Sequence, residues 1–160
     1  MKKINTKVTK INTTNKYVGY KLDSTNPNPI PDTIADEGVI KVYYVTDEAQ
    51  TKDLSYTVEY YKDGTKVSGD TQTESTTVQV LQPDTLTVDK AKINTTNKYV
   101  GYKLDSTNPN PIPDTIADEG VIKVYYVTDE AQTKDLSYTV EYYKDGTKVL
   151  LVKLIKRRFQ

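Results

Sequence analysis

Ser55-Tyr56-Thr57-Val58-Glu59-Tyr60-Tyr61 runs directly into Lys62-Asp63-Gly64-Thr65. Tyr56, Val58 and Tyr60 fall on one side of a two-residue period and Thr57, Glu59 and Tyr61 on the other, as in a strand with one buried face. Asp-Gly tolerates the positive φ angles of a tight hairpin, so the chain is expected to turn back at Asp63. A second strong strand is Val121-Ile122-Lys123-Val124-Tyr125-Tyr126-Val127, entered through an Asp118-Glu119-Gly120 turn, with Ile122, Val124 and Tyr126 toward the core. Between these, Thr76-Thr77-Val78-Gln79-Val80-Leu81 is β-branched enough to be a strand. Lys98-Tyr99-Val100-Gly101-Tyr102-Lys103-Leu104 alternates, which places Val100, Tyr102 and Leu104 inward. Asp84 to Lys92 reads either as a short capped helix or as extended chain. Asn108-Pro109-Asn110-Pro111-Ile112-Pro113 cannot supply a ladder of amide donors and is expected to be an extended, polyproline-like loop. The fold class is mainly β, in small β-rich modules.

The modules are in tandem. Residues 10–67 are identical, position for position, to residues 92–149, an offset of 82 residues through 58 positions. Identity that includes polar positions implies recent duplication, and a unit of this length is domain-sized rather than a solenoid repeat. Thr46-Asp47-Glu48-Ala49-Gln50-Thr51-Lys52-Asp53 carries no apolar residue larger than Ala and reads as a linker. The expected organisation is a partial module lacking its first hairpin at 1–53, a complete module at 54–135 and the start of a third at 136–149. The tail, 150–160, leaves the pattern. Codons exist for Val149 onward that, read one nucleotide out of frame, spell a sequence closely resembling the expected continuation, so frameshift or truncation is the tail's expected origin, which the nucleotide sequence decides. A short cationic amphipathic segment touching a membrane is the alternative.

Composition removes most chemistry. The 160 residues contain no Cys, His or Trp, one Met, one Phe and 14 Tyr, with 22 basic and 22 acidic side chains. There is no thiol nucleophile, imidazole base, disulfide or ordinary zinc site to assemble. A net charge of zero supplies no field for nucleic acid. No apolar run is long enough to span a membrane. An enzyme is not expected, and neither a cofactor nor a metal.

The candidate ligand contacts are Tyr61, Tyr99 and Tyr125, which alternation points away from the core. Outward aromatics can stack on sugar rings or anchor a protein; the competing reading is packing across strands or against a neighbouring module. The acidic pairs Asp36-Glu37, Asp118-Glu119 and Asp47-Glu48 lack the spacing of a calcium loop and are read as turn and linker solvation. Asn12-Thr13-Thr14 and Asn94-Thr95-Thr96 match the glycosylation sequon. A Lys–Asn isopeptide crosslink would require a buried Lys, Asn and acidic residue.

Tyr56-Thr57-Val58-Glu59-Tyr60-Tyr61-Lys62-Asp63-Gly64, then Val100-Gly101-Tyr102-Lys103-Leu104, then Asp118 through Val127 together resemble, in that order, the mucin-binding-protein (MucBP) type repeats of Gram-positive surface proteins. High-identity streptococcal surface repeats are similar in organisation. Both resemblances imply an extracellular, cell-wall-attached adhesin or stalk built of β-grasp-like α+β or related beads. No signal peptide or wall-sorting motif is read, as expected of an internal segment. The expected function is therefore a stalk or spacer in adhesion; the alternative is direct binding of host glycan or mucin by each module through its outward tyrosines. Because 1–53 lacks an opening strand and 136–149 is an opening strand without a module, head-to-tail pairing between chains is also expected.

Overall fold

The computed structural model describes residues 4–14 and 16–159. The chain is mainly β. In order, the strands are β1 (Asn5–Lys7), β2 (Tyr20–Asn26), β3 (Thr33–Ala35), β4 (Lys41–Thr46), β5 (Thr51–Lys62), β6 (Thr65–Lys66) and β7 (Gln72–Gln79). They continue with β8 (Thr85–Thr87), β9 (Tyr102–Asn108), β10 (Thr115–Ala117), β11 (Gly120–Thr128), β12 (Thr133–Lys144) and β13 (Thr147–Phe159). Two compact units emerge, residues 1–54 with 75–84, and residues 55–74 with 85–160.

In the second unit the two strands anticipated most firmly lie side by side. β5 and β11 pair in parallel, from Gly120 opposite Tyr56 to Tyr126 opposite Lys62. β9 flanks β11 antiparallel, with a bulge between Tyr125 and Tyr126. On its other edge β5 carries β6 and β7, so the sheet has five strands. Asp63 and Gly64 take φ values of 45° and 80°, the left-handed pair that a tight two-residue hairpin demands.

The alternation reading holds for both central strands. Tyr60, Ile122, Val124 and Tyr126 are fully buried, with Tyr56 and Val58 scarcely less so. Leu86, Val88 and Ile93 close over them from the β5-to-β11 crossover. The ambiguous segment 84–92 resolves into both alternatives: β8 pairs with β10, and a single 3-10 turn follows at Lys90–Lys92, its Ala91 amide held by the Asp89 carboxylate. No α-helix occurs among the described residues, so the helix that a β-grasp-like α+β module would carry has no counterpart in this crossover.

Three expectations need correction. Val100 and Leu104 do not face the core, being 78% and 38% exposed, and Tyr102 is only half-buried. Tyr99 to Tyr102 is a turn, closed by the Tyr102 amide on the Tyr99 carbonyl at 3.2 Å, with Gly101 at φ 83° in the position that requires a positive φ. β9 therefore begins only at Tyr102, part-way along the residues whose alternation suggested a strand. The Asn-Pro loop is irregular as expected, but not extended: the Thr107 hydroxyl donates to the Pro109 carbonyl two residues on, at 2.9 Å. The composition-based linker is shorter than it looked, because Thr51, Lys52 and Asp53 already belong to β5.

The first unit contains the antiparallel pairs β1·β3 and β2·β4. At its centre Gln50 accepts from the Gly19 amide (2.9 Å) and donates to the Tyr20 carbonyl (3.2 Å) and the Asp47 carboxylate (3.1 Å). Its backbone carbonyl takes the Val80 amide at 2.9 Å. Gly19 has no room for a side chain, since an added Cβ would lie 2.5 Å from Leu81. In the second unit Gln132 makes the same side-chain bonds to Gly101, Tyr102 and Asp129.

Candidate functional site

Parallel pairing of β5 with β11 sets Tyr61 opposite Tyr125 on the outward face. Their rings meet at 5.0 Å between centroids, tilted by 32°. The Tyr61 hydroxyl donates to Glu59 at 2.7 Å, and Glu59 also accepts from the Lys66 ammonium. Lys123 Nζ sits 5.9 Å from the Tyr61 ring centre. Those bonds from Lys66 and Tyr61 hold the Glu59 carboxyl below its ordinary range, while the neighbouring carboxylate pushes the Tyr61 phenol up. Both rings are half-buried, partly by each other. The pair offers ring edges beside a Lys–Glu–Lys row, a surface able to meet a polar, hydroxyl-bearing ligand.

Tyr99 is not part of this pair. It lies in the turn before β9 and packs edge-on against the core ring Tyr126 (5.1 Å, 86°). Its hydroxyl donates to Asp70. Burial first, and then that hydrogen bond, push its phenol well up, while the same bond holds the Asp70 carboxyl down. Lys62 and Lys98 approach the Tyr99 ring at 5.1 and 5.4 Å, and Lys98 lies 4.3 Å over Tyr60. The alternation that pointed Tyr99 outward assumed a strand where the chain turns.

Sequence reading also missed what the core hydroxyls do. Buried tyrosines are expected to find partners for their O–H groups. Here the Tyr126 hydroxyl donates to the Asn94 carbonyl (2.9 Å), and the Tyr60 hydroxyl accepts from the Asn94 amide (3.0 Å). The Tyr56 hydroxyl accepts from the Asp89 amide (3.2 Å). Three core tyrosines thus tie the 89–94 segment over the sheet, a long-range job that no local pattern announces. The Asn94 side chain of the sequon closes a local turn, accepting from the Thr96 amide (2.9 Å), and its oxygen also lies 3.5 Å from the Tyr126 hydroxyl.

Two carboxylates pin the ends of the parallel pair. Asp118 accepts the Ser55 amide at 2.8 Å, one residue before the pairing begins at Tyr56. Asp63 accepts the Thr128 amide (2.9 Å) and hydroxyl (2.8 Å), at the end of β11. Those two bonds from Thr128 hold the Asp63 carboxyl below its ordinary range. A carboxyl depressed on folding contributes stability above its unfolded value, and that contribution is lost as pH falls through the folded value. Glu59 and Asp70 have the same sign. The melting temperature should therefore be flat from neutrality to about pH 5 and fall below about pH 4. Asp63→Asn should flatten that fall; an unchanged profile in the variant would remove Asp63 from the account.

Among the described residues no three carboxylates converge to hold a metal ion. No polar or charged side chain among them is buried, so the buried triad that an isopeptide crosslink needs is not assembled. The chain matches no known protein family, no characterised protein and no solved structure.

Proposed function

We propose that the chain is a run of repeats from an extracellular, wall-attached bacterial surface protein, in which each module adds length to a stalk used in adhesion. The observation that carries this reading is the 58-residue perfect identity at an offset of 82 residues. Copying a domain-sized unit unchanged, outward positions included, multiplies one property, and reach is the property that scales with copy number. The MucBP-type resemblance points the same way. Proteins carrying one, two and three complete 82-residue units test it by small-angle scattering. The maximum dimension should rise by an equal increment per unit; a dimension that grows only as a compact globule grows would overturn the reading.

Direct glycan or mucin binding is the second reading, and the outward Tyr61–Tyr125 pair favours it. Repeated weak sites would then act through avidity. Binding on a glycan array that disappears in Tyr61→Ala or Tyr125→Ala supports it, and no retention on any glycan removes it.

A further inference from the structure

Because residues 10–67 and 92–149 are identical, the molecule contains the central strands of one sheet twice, with different neighbours. β11 is flanked by β9 and by β5, whereas its equivalent β4 pairs among the described residues with β2 alone. β5 is flanked by β6 and β7 and by β11, whereas its equivalent β12 pairs, among the described residues, only with β13. The hairpin registers match, Tyr61 opposite Lys66 in one and Tyr143 opposite Lys148 in the other, so β13 occupies the β6 edge of β12. The edge of β12 left over is the one that β5 gives to β11. The edge of β4 left over is the one that β11 gives to β5.

The side chains tell the same story. Tyr138 and Tyr142 are 51% and 53% exposed, while their equivalents Tyr56 and Tyr60 are buried. Leu150 and Leu154 lie opposite Tyr142 and Tyr138 on that same face, also about half exposed, so the hairpin presents an uncovered apolar surface. On β4, Val42 and Tyr44 are half-buried where Val124 and Tyr126 are fully so.

We propose that these are two halves of one interface, and that copies of this chain join head to tail, β12 of one copy pairing in parallel with β4 of the next. The register would be that of β5 and β11, which sets Tyr143 opposite Tyr43 of the second copy. The pins recur as well: Asp145 stands where Asp63 holds Thr128, and finds Thr46 of the second copy; Asp36 of that copy stands where Asp118 holds Ser55, and finds Ser137. Tyr44 already donates to the Asn12 carbonyl at 2.7 Å, as Tyr126 does to Asn94. Tyr142 of the joining copy supplies the hydroxyl that Tyr60 offers to the Asn94 amide. Since the two surfaces differ, the contact is heterologous, joining unlike patches and building larger assemblies copy by copy rather than through one self-complementary patch.

The test is complementation. Thr139→Pro removes an amide from the free edge of β12, leaving a chain that accepts but cannot donate. Val42→Lys puts a charge into the β4 face, leaving a chain that donates but cannot accept. By light scattering the unmodified 160-residue chain should grow in mass with concentration. Each variant alone should lose every species beyond the monomer, and an equimolar mixture should double in mass. A monomer at all concentrations, association that survives in both variants, or a mixture that stays monomeric would each overturn the proposal. A second measurement guards against misfolded variants: the chain has no cysteine, so Tyr43→Cys/Tyr143→Cys should yield a disulfide-linked ladder under mild oxidation, and monomer alone would count against the interface.

Discussion

Tyr126→Ala should cost the second unit about 3–5 kcal/mol, the range for deleting a buried aromatic from a core. That is a large fraction of the roughly 5–15 kcal/mol a domain possesses. The Tyr126 ring is fully buried against Tyr99, and its hydroxyl holds the carbonyl of Asn94. Removing it opens a cavity and frees the segment that covers the sheet. Tyr44→Ala makes the same change within identical local sequence, but where the ring is only half-buried. In dilute solution its cost should be clearly smaller, since less apolar area leaves contact. Denaturant melts followed by circular dichroism read both, and equal losses would show that the two copies are equally packed.

Thr57→Pro should be nearly as severe, by about 2–4 kcal/mol, from a lost ladder bond and an orphaned acceptor on the neighbouring strand. At the two ends of the parallel pairing the backbone of Ser55 and Asp63 turns toward β11, through Glu119 N to Ser55 O (2.7 Å) and Asp63 N to Tyr126 O (2.9 Å). Alternation gives Thr57 the same direction. Proline therefore strikes the central parallel pair, where it is not tolerated. Thr139→Pro, in the same sequence but on an edge, should leave the β12·β13 hairpin in place. Thermal melts that show no difference between the two substitutions would refute the assignment of that edge.

Legibility in the sequence followed the range of the interactions. The two central strands and the Asp63-Gly64 hairpin were readable because period-two alternation and left-handed φ are properties of adjacent residues. Tyr61 and Tyr125 were placed outward by the same rule. That they stack on each other was not readable, because it depends on which strand lies beside which. A parallel neighbour brings residues 64 positions apart into register, and no local pattern encodes that. Tyr99 failed for a related reason: alternation across Tyr99-Val100-Gly101-Tyr102 looks like a strand until Gly101 takes a positive φ. The tyrosine hydroxyls clasping Asn94 and Asp89 were hidden in the same way.

The parallel alignment of β5 with β11 also decides how a module answers tension. The chain enters at the head of β5 and leaves at the foot of β11, at opposite ends of two strands pointing the same way. A load applied through the backbone drags them past one another lengthwise, so the bonds between them bear it together. Strands pulled apart from one end would instead open like a zipper, one bond at a time. With Asp118 and Asp63 riveting the two extremities, the centre of the sheet is arranged as a lap joint, and single-molecule stretching should register one abrupt rupture per module.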